Sequence, residues 1–180
     1  MRIVECALPD VLVFEQSVHS DERGKFQELH RDEFFQSIGL TVRFVQSNYS
    51  RSRRGVLRGL HYQLSRPQGK MVHVISGAIF DVAVDLRRSS PSFGRHLSVL
   101  LTADEPRSIY VPPGFAHGML ILSEWADVIY QCTDYYCQQD ERTIIWNDPE
   151  IAIMWPINLL PTLSPKDQSA GSLSMAELYE

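Results

Sequence analysis

Residues 56–63 read VLRGLHYQ, with an arginine and a histidine three positions apart and a glycine between them, inside a strand-forming run. A guanidinium grips phosphate oxygens in a fork that an ammonium cannot match. An imidazole, with a pKa near neutrality, is the most frequent protein base. Side by side they suit one task, holding an anionic handle while a proton is moved elsewhere on the same molecule. A regular strand forbids this, because residues three apart point to opposite faces. A bulge at Gly59 shifts the phase by one and aims Arg58 and His61 into one pocket. Without the bulge the octapeptide is an exposed arginine beside a packed histidine.

A second histidine, His117, follows a Pro-Gly turn in PPGFAHGM (112–119). This stretch resembles the second motif of cupins, P-x-G-x-x-H. In metal-binding cupins the first motif supplies H-x-H and then a glutamate; the matching stretch here is His61-Tyr62-Gln63, followed by LSRPQGK, so two expected ligands are absent. A histidine without ligand partners is free to act as a base. The alternative is a metal-dependent cupin enzyme that uses His61, Gln63 and His117.

The elements that must position these residues are short. VLVF (11–14), VRFVQSNYS (42–50), KMVHVI (70–75), AIFDVAVDL (78–86), HLSVLLT (96–102), SIYVPP (108–113), HGMLIL (117–122) and DVIYQCTDYY (127–136) recur between turn signals. Many short strands rich in Val, Ile, Tyr and Phe predict a double-sheet barrel or sandwich rather than a βαβ fold. Ser76-Gly77 reads as a tight hairpin turn. A helix is expected at RDEFFQSIG, capped by Asp32 and ended by Gly39. Another is expected at SPKDQ, with Ser164 as N-cap and Pro165 at the first helical position. The tail from about 169 is small and polar and is expected to be poorly defined.

At 180 residues, 44% hydrophobic and 22% charged, with 20 Gly plus Pro, the chain reads as one globular domain over 1–180. A net charge of −5 provides no basic field for nucleic acid or an anionic membrane surface, so an anionic ligand must meet local arginines and lysines. Cys6, Cys132 and Cys137 lack the spacing of a zinc site or a disulfide scaffold, which fits a reduced cytoplasm. The opening MRIVECALPDV breaks its apolar run at Glu5, Pro9 and Asp10, so neither an export signal nor a membrane anchor is expected.

Taken together, DERGKFQE (21–28), FVQSNYSRSRRGVLRGLHYQ (44–63), QGKMVHVISGAIFDVAVDLRRSSPSFG (68–94), YVPPGFAHGM (110–119), YQCTDYY (130–136), DERTIIWNDPEIAIMWP (140–156) and LSPKD (163–167) closely resemble the dTDP-4-dehydrorhamnose 3,5-epimerase family. The likeness runs unbroken from about residue 9 to 168. It implies an all-β fold, a cupin-type double-stranded β-helix (jelly roll) with a few short helices. It implies an isomerase of deoxysugar biosynthesis that acts on a dTDP-4-keto-6-deoxyhexose at C3, C5 or both, with no metal and no organic cofactor. His61 is then the general base, Asp167 its orienting partner, Lys70 the group that stabilises the enolate and Tyr130 the proton donor. Arg23, Arg58, Gln46 and Asn48 hold the nucleotide diphosphate, Tyr136 stacks on the thymine, and Phe26, Glu28 and His117 complete the binding set. Family members are homodimers that lend the segment like RGKFQE to the neighbouring site.

Outside the resemblance each residue has a plainer meaning. Asp167 fits a capping box as well as a histidine partner, Tyr130 and Phe26 read as core, Lys70 as a solvated strand end and Arg23 as a turn charge. His73 and His96 fall outside the matched positions and read as structural. The family often has Q-D-N-H-S where this chain has Gln46-Ser47-Asn48-Tyr49-Ser50. That departure also fits relatives that epimerise one carbon only. A sugar-nucleotide binding module without catalysis is the remaining alternative.

Overall fold

The computed structural model describes residues 1–4, 8 and 10–180, so readings that rest on Glu5, Cys6 and Pro9 lie outside the described residues. In chain order the strands are β1 (Arg2–Val4), β2 (Leu12–Glu15), β3 (Val18–Asp21), β4 (Gly24–Gln27), β5 (Gln46–Arg53), β6 (Leu57–Gln63) and β7 (Lys70–Ser76). They continue as β8 (Ala78–Asp85), β9 (His96–Thr102), β10 (Arg107–Val111), β11 (Phe115–Ile121), β12 (Trp125–Cys132) and β13 (Glu141–Thr143). Helix α1 (Asp32–Ser37) follows β4, and α2 (Pro165–Gln168) lies near the C-terminus.

Two antiparallel sheets result, ordered β1-β2-β10-β7-β12-β5 and β13-β6-β11-β8-β9, while β3 and β4 form a separate ribbon. From β5 to β13 the chain changes sheet at every connection except β8 to β9. This winding is the jelly roll expected from sequence. Strand alternation then decides what fills it. On β7, Val72 and Val74 turn inward to a core with Ile79, Ala83, Ile109, Met119 and Val128, whereas Met71 turns outward to Phe14, Phe35 and Tyr110.

That alternation cannot say which strand pairs with which. Ser76-Gly77 is a corner between sheets and not a hairpin, because β7 and β8 belong to different sheets. Gly77 has φ +78°, and a Cβ there would lie 2.1 Å from the carbonyl oxygen of Trp125.

The outer faces are covered by chain segments. Over the larger sheet, α1 buries Phe35. Its N-cap is Arg31 rather than Asp32, whose carboxylate lies 2.6 Å from His30 Nε2. Its end is as expected: Gly39 (φ +78°) and Leu40 donate their amides to Gln36 and Phe35 in a Schellman motif. Over the smaller sheet, Ile144, Ile151, Ile153 and Leu173 pack on Leu60, Tyr62, Val82 and Val84.

The tail, expected to be poorly defined, is laid along this face. Tyr179 Oη donates to the Gln63 carbonyl, and the Glu177 carbonyl accepts from Tyr62 Oη. Buried Leu173 and these two tyrosine bonds supply the anchoring that a polar composition conceals.

Candidate active site

The cavity opens between the two sheets, with a volume of about 820 Å³. Its floor is set by the irregularity that the opening motif called for. Opposite β6, His117 pairs with His61 and Met119 pairs with Arg58, so two residues of β6 oppose one of β11. The extra residue sits at Gly59-Leu60 and rotates the strand, and both Arg58 and His61 line the cavity. Gly59 has φ +133°, and a Cβ there would lie 2.5 Å from the Cα of Gly118. The bulge therefore closes only because two glycines lie back to back.

His61 Nε2 lies 2.5 Å from Asp167 Oδ1. Asp167 is the third residue of α2 and is 2% exposed; its amide donates to the Ser164 Oγ, so Ser164 is the helix cap that the sequence indicated. The carboxylate turns to the histidine. Burial works to raise the Asp167 carboxyl, yet the hydrogen bond to His61 and its charge outweigh this and hold it below its ordinary range. An ionised carboxylate accepts from Nε2–H and leaves the lone pair on Nδ1. His61 itself is pushed below the usual histidine value, chiefly by burial and also by Lys166 and Lys70, with Asp167 opposing. It is thus a neutral base near pH 7.

Tyr130 on β12 and Lys70 on β7 come from the opposite sheet and line the same space. Burial raises the Tyr130 phenol, keeping it protonated and able to donate. Burial lowers the Lys70 ammonium, while Cys132, Glu141 and Asp81 favour its charge. Lys70 Nζ lies 3.5 Å from the His61 carbonyl oxygen, which puts a cation beside the base.

Gln46 and Asn48 face the cavity from β5, with Gln46 Nε2 donating to Asn48 Oδ1 at 2.9 Å. Gln46 Oε1 also accepts from the backbone amide of Tyr136, which brings that aromatic to the rim. Arg58 donates to the Ser52 hydroxyl at 3.0 Å and, among the described residues, meets no carboxylate. Ser47 and Tyr49, the departures from the family pattern, alternate away from the cavity on the outer face of β5, where Tyr49 Oη donates to Asp127.

Three expected binding residues are elsewhere. Arg23, Phe26 and Glu28 sit on or beside the β3–β4 ribbon and do not line this cavity. Arg23 pairs with Asp21 and Glu28 with Arg31, while the Phe26 ring is 70% exposed. Phe26 and Glu28 instead border a smaller cleft with Met1, His19 and Phe34.

His117 is inside, 8% exposed, with Nε2 at 3.0 and 2.9 Å from the two oxygens of Asp81. Sequence reasoning missed Asp81, although an acid among inward-facing Ile79 and Ala83 was a signal. It also missed Glu141, whose three-residue strand carries no alternation to read. Gln63, the third member of the metal-cupin alternative, spends its amide on backbone: Nε2 donates to the Arg66 carbonyl at 2.8 Å and Oε1 accepts from the Cys137 amide at 2.7 Å. Among the described residues no three His, Cys, Asp or Glu side chains converge as a metal site.

Comparison with known proteins follows the same lines. The family described as dTDP-4-dehydrorhamnose 3,5-epimerase matches residues 5–175. A dTDP-4-dehydrorhamnose 3,5-epimerase of Pseudomonas aeruginosa is 47% identical over 180 residues, 99% of each chain. A Legionella pneumophila dTDP-6-deoxy-D-glucose-3,5-epimerase, solved with dTDP-4-keto-L-rhamnose, superposes with a TM-score of 0.97 at 43% identity, covering 99% of this chain and 97% of that one. The 3'-monoepimerase ChmJ of Streptomyces bikiniensis, solved with dTDP-quinovose, gives 0.88 at 35% identity, covering 93% of this chain and 86% of that one.

Proposed function

The chain belongs to the dTDP-4-dehydrorhamnose 3,5-epimerase family, and on that footing we propose that it inverts C3 and C5 of a dTDP-4-keto-6-deoxyhexose. The observation that carries this reading is the His61–Asp167 pair on one wall of the cavity, opposed from the other sheet by Tyr130 and Lys70.

A hydrogen beside a ketone is a weak acid, so its removal near pH 7 needs a positioned base and a holder for the charge that develops. His61 Nδ1 takes the proton, and the electron pair of the C–H bond moves through the carbon–carbon bond onto the ketone oxygen. Asp167 stabilises the imidazolium that forms. Lys70 faces the enolate oxygen. Tyr130 returns a proton to the opposite face of the planar enolate and becomes a phenolate, and solvent then resets both groups. A base on one sheet and an acid on the other is the arrangement inversion requires.

Arg58 and Lys70 remain free of carboxylate partners among the described residues, because Lys166 is matched by Glu141 and His61 by Asp167. That excess of positive charge favours a diphosphate and an enolate. Gln46, Asn48 and Tyr136 line the cavity as further contacts to the nucleotide, and His117 as a contact to the sugar. Arg23, Phe26 and Glu28 act in trans: the exposed β3–β4 ribbon reaches the cavity of a second copy, so the working unit is a homodimer of one-domain chains.

Inversion at both carbons is favoured over one by the full-length identity with 3,5-epimerases. The outward orientation of Ser47 and Tyr49 removes the sequence feature that pointed to a single-carbon relative. Incubation with dTDP-4-keto-6-deoxyglucose in heavy water tests this: deuterium is expected at C3 and at C5. Label at one carbon only overturns the double inversion, and label at neither overturns the function.

A further inference from the structure

Beside the base lies a polar crosspiece that the chemistry above does not use. Glu141, at the start of β13, is paired in register with Gln63, two residues beyond His61 on β6. Its side chain is 13% exposed and each oxygen has a different partner. Oε1 accepts from Lys166 Nζ at 2.7 Å, and Oε2 accepts from Tyr136 Oη at 3.0 Å. Lys166 is the residue directly before Asp167 on α2, and Tyr136 lines the cavity with its amide bonded to Gln46 of β5.

α2 is a single turn outside both sheets, so the lateral position of Asp167 has to come from its contacts. Two are parallel bridges, Thr162 to Val56 and Gly171 to Ile144, which fix where the segment enters and leaves. The other is the consecutive pair Lys166 and Asp167, which grips the neighbouring strands β13 and β6 through Glu141 and His61. The same carboxylate ties in the Tyr136 rim. Burial alone would raise the Glu141 carboxyl, but its bonds to Lys166 and Tyr136 hold it below its usual range, so the bridge is ionic near pH 7.

From these contacts we infer that Glu141 and Lys166 form a charge-matched positioning bridge, which seats Asp167 against the base and joins that wall to the Tyr136 rim of the nucleotide subsite. This rests on the proposed function and deepens it. Neither residue is a catalytic residue; they act through His61 and Asp167.

The groups facing His61 come from every wall: Arg58 on its own strand, Lys70 on β7, Asp81 and His117 on β8 and β11, Tyr130 and Cys132 on β12, Tyr136 and Glu141 before and on β13, and Lys166 and Asp167 on α2. Within this set the Lys166 and Glu141 charges offset each other only while the bridge stands. Breaking it from one side or the other therefore leaves the base beside an unmatched charge of opposite sign. A positive neighbour disfavours imidazolium and a negative one favours it.

The test is the pH profile of kcat/KM for dTDP-4-keto-6-deoxyglucose. Glu141→Gln keeps an acceptor for Tyr136 but strands the lysine charge: its acid limb is expected at lower pH, with kcat reduced about tenfold as Asp167 drifts. Lys166→Met strands the carboxylate, and its acid limb is expected at higher pH than that of Glu141→Gln, with kcat reduced to a similar degree. The double variant balances the charges but leaves Asp167 unseated, so its kcat is expected to stay about tenfold low. Loss of fold cannot order the two limbs by charge, and two charges without a positioning role would move the limbs and leave kcat unchanged. An active wild type whose variants keep its kcat, or whose single variants share one acid limb, overturns the bridge alone; absence of wild-type turnover overturns the function and the bridge with it.

Discussion

Two histidines line the same cavity from neighbouring strands, each paired with an aspartate, and the two pairs are built in different ways. His117 and Asp81 both sit on the smaller sheet, on β11 and β8, and the ladder register fixes their approach. His61 stays on that sheet, but its partner arrives from 106 residues further along the chain on the short helix α2. The side chain of His117 is 10% exposed against 22% for His61, and Asp81 is wholly buried. A pair locked within a sheet and nearly dry is suited to holding shape and presenting a fixed contact. A pair assembled between sheet and appended helix, with its ring open to the cavity, is suited to gaining and losing a proton.

Breaking each pair should therefore cost different things. His61→Ala is expected to lower kcat/KM about a thousandfold, within the range for loss of a general base. Asp167→Asn is expected to cost about a hundredfold, the lower end of the range for a disturbed general base. The sign of its pH effect is fixed: Asp167 is the group that opposes burial in raising His61, so without it imidazolium is less stable and the acid limb of kcat/KM moves to lower pH. A limb displaced to higher pH would show that Asp167 does not serve the base.

Tyr130→Phe is expected to slow turnover about tenfold to a hundredfold while solvent exchange at the sugar persists, because carbanion formation precedes reprotonation. Unchanged epimerisation would remove Tyr130 from its role. Smallest in activity is His117→Leu, expected to change kcat only a few-fold with a raised KM. Its larger effect is on stability: Asp81 is left as a buried, unpaired carboxylate, which should cost about 3 kcal/mol in denaturant unfolding. If His117→Leu abolishes turnover and His61→Ala does not, the two pairs have been assigned the wrong way round.

Much of this site was legible because it depends on local rules. Gly59 between Arg58 and His61 has one purpose in a strand, and the bulge is there. Ser164-Pro165 opens a helix, and it does. The strands β5 to β12 could be read as short runs rich in Val, Ile, Tyr and Phe between turn signals, even where, as in β11, every residue is buried and alternation is lost. What escaped lacked that signal. The ribbon strand β3 is exposed at every residue, so burial leaves no pattern in VHSD. Ser76-Gly77 is a turn by composition, and only the non-local pairing of β7 and β8 makes it a corner. Asp81 and Glu141 are acids whose partners, His117 and Lys166, lie 36 and 25 residues away, beyond any local pattern. The polar tail is held by Tyr62, Tyr179 and Leu173, three contacts that composition averages away.

The Gln46-Ser47-Asn48-Tyr49-Ser50 run shows the same limit from the other side. Sequence comparison flagged Ser47 and Tyr49 as departures near the substrate, yet the period of two turns both outward while Gln46 and Asn48 stay in the cavity. A substitution matters by its face as much as by its position.

The most direct measurement separates proton removal from the rest of turnover. His61→Ala, folded by circular dichroism and still binding the nucleotide dTDP, is incubated with dTDP-4-keto-6-deoxyglucose in heavy water and the sugar is read by NMR. No deuterium at C3 or C5 above the enzyme-free rate is the predicted result; exchange at the wild-type rate at either carbon would mean that some other group takes the proton.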